Sequence, residues 1–564
     1  MSGRLATRWG CWVCLAGWLA AALPARAAPA KGERDAPLPQ VKLITKETPL
    51  GTFPEDTVAA SLAVDPNSRR VAYAVHTGAA GLPPLLEAVR GSGTMTAIVD
   101  GKKQKTYALI DGPFFGPGTG RVAYVAMTFR ELARGGGIRA SQEEARIVLD
   151  GVEGKTYHEI RNRQFPAPRK DGERPVFSPD GSRLAYAARI KKAWRVVVDG
   201  REDKTYDDIV KGSLRFSPDS RHYAYAAKGG DEHLLVLDGA EVGVYDEVSV
   251  RCLVFSPDSS RLVYGAKRDG KLLLGTVATA ARAKAAEVVA PLLSAEVRFS
   301  PDGKQLAYII RSNGGERIVL NGQPVEQYEK VRPPVFGPKG KRFAFAAGRG
   351  GKRFAVIDGD AQPEYDNLYA LHFSPNGARV AYVAKQGDRW WAVIDGKPGL
   401  VCDGIMATES FFSPDGKRYA YVPQHGKKRT VVIDGVESTR YDDILSNTPI
   451  FSPDGKRVAY AAFVGEKVMM VVDRRRSRHH DGISEAVFSP DGKYLAYVAR
   501  REKHRFVVVR GAETTPCDYF VRGSILTFDT PDRLHTLAAR GRKYFRLDIK
   551  IAEVGPAPRA RQGR

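Results

Sequence analysis

The word Phe177-Ser178-Pro179-Asp180-Gly181-Ser182-Arg183-Leu184-Ala185-Tyr186 returns in nearly the same letters every 37 to 44 residues, opening again at Phe216, Phe255, Phe299, Phe336, Phe373, Phe412, Phe451 and Phe488. A fixed period of about 40 residues built from short strand-like runs means stacked supersecondary units, none of which can bury its faces alone. Worn copies stand at Val64-Asp65-Pro66-Asn67 and Phe115-Gly116-Pro117-Gly118, and a degraded one at Phe528-Asp529-Thr530-Pro531-Asp532, which makes twelve units.

Residue types predict the path of one unit. Pro179 cannot donate to a ladder and ends the strand that enters at Phe177. Asp180-Gly181 turns the chain, and Arg183 to Ala188 then alternates with a period of two. Val196 to Val198 is apolar on both faces, as a sheet packed between two others requires. It closes with Asp199-Gly200, and Tyr206-Asp207-Asp208-Ile209 is expected to be the outer strand. Four-stranded sheets arranged radially are the blades of a β-propeller. The expected fold is all-β. Because one ring usually holds roughly four to eight blades, twelve units predict two propellers, with residues 41–335 in the first and 336–552 in the second. Six plus six is favoured. Five plus seven is open, since the unit between Phe255 and Phe299 lengthens to 44 residues and loses its Asp-Gly and Tyr-Asp words.

The FSPDG-x-R-x-A-Y word resembles the WD-repeat-like repeat of the TolB translocation protein and of the propeller domains of prolyl-oligopeptidase-type proteins, over roughly residues 41 to 552. For a TolB-like chain the resemblance implies a non-enzymatic propeller that contacts protein partners in the cell envelope. Export is also what the N-terminus predicts. Arg4 and Arg8 precede the apolar run 10–23, and Ala25-Arg26-Ala27 offers small residues for cleavage, the pattern of a signal peptide over 1–27. A flexible lead-in, 28–40, and a basic tail, 553–564, complete the expected organisation, and the compartment is periplasmic or extracellular.

Candidate chemistry is sparse. Asp207, Asp246, Asp366, Asp403, Asp442, Asp481 and Asp518 fall at one position of successive units and could ring a channel. A residue that recurs in seven blades is better explained by pinning each blade through hydrogen bonds. Cys252, Cys402 and Cys517 are read as buried small hydrophobes. Cys402 and Cys517 hold equivalent positions three units apart, too far round a ring for a disulfide. The sequence holds no G-x-S-x-G elbow and no His-x-x-x-His spacing. No catalytic residue, metal or cofactor is expected.

The remaining signal is charge. The net charge of +23 includes Arg4, Arg8 and Arg26 of the leader, and the excess gathers late in the chain. Arg474, Arg475, Arg476 and Arg478 form one cluster, and Arg500, Arg501, Lys503 and Arg505 another. Such a field attracts polyanions, so anionic lipid headgroups or acidic envelope polymers are candidate partners, while nucleic acid is not expected for an exported protein. The leading expectation is a scaffold for an envelope protein. The alternatives are a hydrolase or lyase working in a propeller funnel, and a binder of anionic polymer or lipid through the late basic segments.

Overall fold

The computed structural model describes residues 41–554 apart from 53–61, 68, 78–93, 135–136, 162–173, 281–285, 289–291, 313, 407–410 and 522. The expected leader, the lead-in and nearly all of the basic tail lie outside the described residues.

The repeated Ala-Tyr dipeptide sets how sheets meet. In the unit 208–245 the second strand, Tyr223–Gly229, and the third, Glu232–Leu237, are buried on both faces. Tyr223, Tyr225, Ala227 and Val236 pack on the preceding sheet, against Ala185, Ala187 and Val196. Ala224, Ala226, Leu235 and Leu237 face the following sheet. Successive side chains point to opposite faces of a strand, so each unit offers tyrosine backward and alanine forward. The large residue of one sheet seats on the small residues of the next.

Thirteen sheets are formed among the described residues, and two three-stranded ones, within 404–437, are parts of a single blade. Pro423 lies where the second strand of that blade divides into Ala420–Tyr421 and Pro423–His425, because a proline has no N–H for the ladder. Twelve blades result: 63–107, 109–153, 159–202, 208–245, 247–288, 292–324, 330–361, 367–398, 404–437, 443–476, 482–513 and 519–553. We number them 1 to 12. The strand order within a blade is sequential except in blade 12. In blade 2 the insertion around Phe129 to Glu144 continues the hairpin rather than forming a loop, as strands Val122–Arg134 and Gly137–Leu149.

One expected element is misplaced. Asp208–Ile209 is not the outer strand of blade 3, because it pairs with Lys228 and Ala227 of blade 4 as the start of that blade's first strand. Arg201–Glu202 is the outer strand of blade 3, and Tyr206 still bridges to Trp194 in the same blade. The chain crosses between blades at Asp207. The first strand of blade 4 then resumes at Arg215–Phe216 against the same neighbour.

The strand Val41–Thr52 pairs antiparallel with the C-terminal strand Lys543–Glu553 and forms the outer edge of blade 12. Blade 12 packs on blade 1 through Leu537, Ala539 and Tyr544 against Val71, Tyr73 and Ile98, and Tyr544 donates to the Tyr73 hydroxyl at 3.0 Å. Arg69 pairs with Asp529 at 2.9 Å across the same junction. At the boundary expected near residue 335, Ala307, Ile309, Ile318 and Tyr328 of blade 6 share a core with Val331 and Phe345 of blade 7. The five-plus-seven boundary is bridged likewise by Cys252 and Val263 with Val297 and Tyr308. Two rings would need cores joining 6 to 1 and 7 to 12. Instead every blade packs on its successor and 12 packs on 1, so the cores form one closed circuit. The typical blade count of known rings misled the expectation, because ring size is set by how neighbouring sheets pack and not by the repeat word.

Candidate functional site

The repeated polar residues hold the ring. Asp207, Asp366, Asp403 and Asp442 accept the N–H of Gly230, Gly387, Gly426 and Gly465 at 2.6 to 2.7 Å. Asp246, Asp481 and Asp518 accept those of Gly270, Glu502 and Gly541. Each bond ties the start of a blade to the tip of its own central hairpin. The lysine partners of these acids come from the preceding blade: Lys352 of blade 7 meets Asp366, at the start of blade 8, at 2.6 Å. In the Ser-Pro-Asp-Gly turn, Ser178 donates to Asp180 at 2.6 Å and Asp180 accepts the Ser182 N–H at 2.9 Å. The serine bond, followed by the N–H bond, holds the Asp180 carboxyl well below the usual carboxylate range. Gly116 to Gly120 is a worn copy of this turn, with Gly116 N–H donating to Arg121 O at 2.8 Å as Ser178 N–H does to Arg183 O at 3.0 Å.

Where the word carries its arginine, that side chain is a latch between blades. Arg183 pairs with Asp199 of its own blade at 2.8 Å, donates to Arg221 O of the next blade at 2.7 Å, and lies over the next blade's Phe216 at 5.3 Å. Arg342, Arg379, Arg418 and Arg457 repeat the ion pair with Asp358, Asp395, Asp434 and Asp473. The aspartate comes from the Asp-Gly turn, so both repeated words meet in one contact.

Other units depart singly, as at His222 in blade 4 and Gln305 and Asn321 in blade 6, but the departures to arginine gather between blades 10 and 11. The glycine of the Asp-Gly turn becomes Arg474 in blade 10, with φ +69°. The aspartate becomes Arg510 in blade 11, and the latch arginine there becomes Tyr494. The glutamate of the outer strand, Glu202 in blade 3 and Glu437 in blade 9, becomes Arg476 in blade 10. A cleft of about 80 Å³ opens between the blades, with Met470, Val472, Leu495 and Tyr497 in its lining. Arg457, Arg475, Arg476, Arg478 and Arg510 also line it. Arg478 donates to Gly511 O at 2.9 Å, and Arg510 to Lys493 O at 3.2 Å while covering the Tyr494 ring at 4.7 Å. A larger cleft of about 400 Å³ lies on the other side, between blades 9 and 10, with Arg474, Lys456 and Glu437 in its lining.

The two basic clusters of the sequence therefore separate. Arg475 and Arg478 enter one cleft and Arg474 the other, while Arg476, at the border of the first, donates to the Thr439 hydroxyl at 3.2 Å and lies over the Tyr441 ring of blade 9 at 5.9 Å. Arg500, Arg501 and Lys503 stand at the central hairpin of blade 11, where Arg500 donates to Asp481 O at 2.9 Å. Arg505 is held by Asp518 O at 2.7 Å. Glu513 links the two groups, 3.2 Å from Arg478 and 2.8 Å from Arg501. Arg457 and Arg510 belong to the cleft and were not singled out by charge clustering. Aligning the units reveals Arg510, since Arg-Gly replaces Asp-Gly there.

Beneath the cleft, His480 is buried, 3.5 Å from the Tyr497 hydroxyl. Burial, with Arg478 and Arg501 nearby, pushes its imidazole down to about 4 despite the opposing Glu513 and Asp481. Burial alone accounts for most of the rise of Tyr497 to about 12. Cys252, Cys402 and Cys517 are buried free thiols, and burial pushes Cys402 and Cys517 up to about 11, which leaves them protonated and unreactive at neutral pH. Trp391 packs toward blade 7 and Trp390 toward blade 9, the latter stacked on exposed Tyr369 at 5.4 Å. Among the described residues no three His, Cys, Asp or Glu side chains gather as a metal site.

No family model and no curated protein matches the chain. Solved structures do. A eukaryotic initiation factor is 14% identical over 59% of this chain and 94% of its own, with a TM-score of 0.32. TolB from Acinetobacter baumannii is 16% identical over 56% of this chain and 81% of its own, at 0.23. The Dos1 propeller is 11% identical over 52% and 91%, at 0.24. At these TM-scores the likenesses carry no argument, and the fold rests on the chain's own sheets. With its repeated four-stranded sheets, the chain is an all-β protein of the propeller type.

Proposed function

We propose that this chain is an exported, non-enzymatic propeller that serves as a protein-protein interaction scaffold. One observation carries the reading. The acids and arginines of the repeated words are engaged in holding the ring, and the arginines that break the repeat at blades 10 and 11 gather at an open cleft rather than forming a paired acid and base. A cleft of that kind recognises an anionic partner and has no group poised for proton transfer. The leader supplies the argument for export, and with it a partner in the periplasm or outside the cell. Function on this reading needs no cofactor.

The test is affinity capture of envelope extract on the mature chain, residues 28–564, washed at low and then at high salt before mass spectrometry. A defined protein that survives the high-salt wash is the expected result. Recovery of nothing but acidic lipid or polymer, released by salt, would replace the scaffold with an electrostatic polyanion binder.

A further inference from the structure

We propose that the cleft between blades 10 and 11 docks an extended acidic peptide segment of the partner, anchored by one aliphatic side chain. The inference rests on the scaffold reading and names the chemistry of the partner.

Three features converge on this occupant. Met470, Val472, Leu495 and Tyr497 give the cleft apolar walls, and its volume of about 80 Å³ has room for roughly half a dozen water-sized groups, a leucine-sized side chain and little more. The cations around it are in excess. Asp473 is held by Arg457 at 2.7 Å and Glu513 is shared by Arg478 and Arg501, while among the described residues Arg475 forms no ion pair and Arg510 acts on the Glu553 carboxylate only at longer range. Guanidinium groups take carboxylates through paired N–H bonds. Finally, Arg475–Arg476 is the edge strand of blade 10, paired only through Val471 and Val472 on its inner side. An edge strand accepts an added strand, whose side chains then alternate between two faces. A segment with one aliphatic residue among acidic ones would set its carboxylates on the arginines and its aliphatic side chain in the cleft.

A bilayer is the poorer fit. Membrane attachment needs apolar side chains that stand out of the surface, whereas the apolar residues here are sunk between blades. Val436 is the large apolar side chain exposed beside either cleft among the described residues.

The experiment is a fluorescence-anisotropy titration of labelled acetyl-Glu-Asp-Leu-Asp-Glu-amide with the mature chain. The same peptide with glycine in place of leucine, polyglutamate, and phosphatidylglycerol vesicles serve as competitors. Arg475→Glu, and Arg510→Asp, which restores the residue of the other units, should each weaken the peptide about tenfold or more. Lys503→Glu changes charge equally at the hairpin end of blade 11 and should change affinity less than about twofold. Equal binding of the glycine peptide, displacement by vesicles alone, or indifference to both cleft variants would overturn the proposal. If the peptide fails but a captured protein partner survives in the Arg475→Glu chain, the docking site is wrong and the scaffold stands. If no protein is captured by any chain, the scaffold reading itself falls.

Discussion

Arg474 occupies a backbone conformation that the other units give to glycine: φ is +69° there, against +80° at Gly200, +74° at Gly396 and +83° at Gly435. For a residue with a Cβ this region costs about 1 kcal/mol or more. Arg474→Gly should therefore raise stability by up to about 1 kcal/mol, part of the gain being offset by the freer unfolded chain. Urea unfolding would show it, and a loss of stability instead would mean that the arginine's contacts in the cleft between blades 9 and 10 outweigh the strain. His480 makes a second residue-scale prediction. Its folded pKa, about 4, lies below the unfolded value of about 6.5. The unfolded chain thus binds a proton first as pH falls, and stability is lost from about pH 6.5 downward until the folded imidazole also protonates. Between pH 7 and 4.5 this group should contribute a loss of about 2 to 3 kcal/mol that a His480→Gln chain lacks. Urea titrations of both chains at the two pH values would measure it, and an unchanged difference between them would show that His480 does not titrate in this window.

At the scale of the element, the latch is the testable unit. Arg379 pairs with Asp395 at 2.8 Å, donates to Lys417 O of blade 9 at 2.9 Å, and lies 5.5 Å from the Phe412 ring and 5.2 Å from the Tyr419 ring. Arg379→Ala should cost about 2 kcal/mol, from the lost charged hydrogen bonds and ring contacts. Asp395 is more exposed, so Asp395→Ala should cost less, and a double-mutant cycle should return a coupling of about 1 kcal/mol. A coupling near zero would show that the ion pair is a surface ornament and that the carbonyl bonds do the holding. The latch also shows what the sequence makes legible. The serine, proline, aspartate and glycine of the turn act within six residues, and their roles follow from residue type. The partners Arg379 and Asp395 sit in different words and meet only after a hairpin closes, so each word is readable and their contact is not. Asp208–Ile209 was misplaced for the same reason, since no local preference says which of two adjacent sheets a two-residue strand will join. At the candidate site, the cations Arg475, Arg476 and Arg478 were visible as a cluster, but the cleft needed blade 11 to bring Arg510 and Leu495 to them.

For the molecule as a whole, closure decides between one ring and two, and it depends on residues at opposite ends of the chain. Val41–Thr52 completes blade 12, and His535 reaches Asn67 O at 2.7 Å across the junction with blade 1. Nothing in the repeat word encodes that junction, because any unit can pack on any other. Consecutive cores make a concrete prediction about halves of the protein. Were there two propellers, 41–335 and 336–552 would each close on themselves and fold alone. In a single circuit each half instead ends in two uncovered sheet faces. The first half exposes Val71 and Tyr73 at one end and Ile309 and Ile318 at the other; the second exposes Phe345 and Phe354 at one end and Leu537 and Tyr544 at the other. Large uncovered apolar faces drive association. Expressed separately, the halves should aggregate or unfold without a cooperative transition, and expressed together they should associate and recover one. Urea unfolding followed by tyrosine fluorescence distinguishes the cases, and a sharp, independent transition in either isolated half would restore the two-ring arrangement.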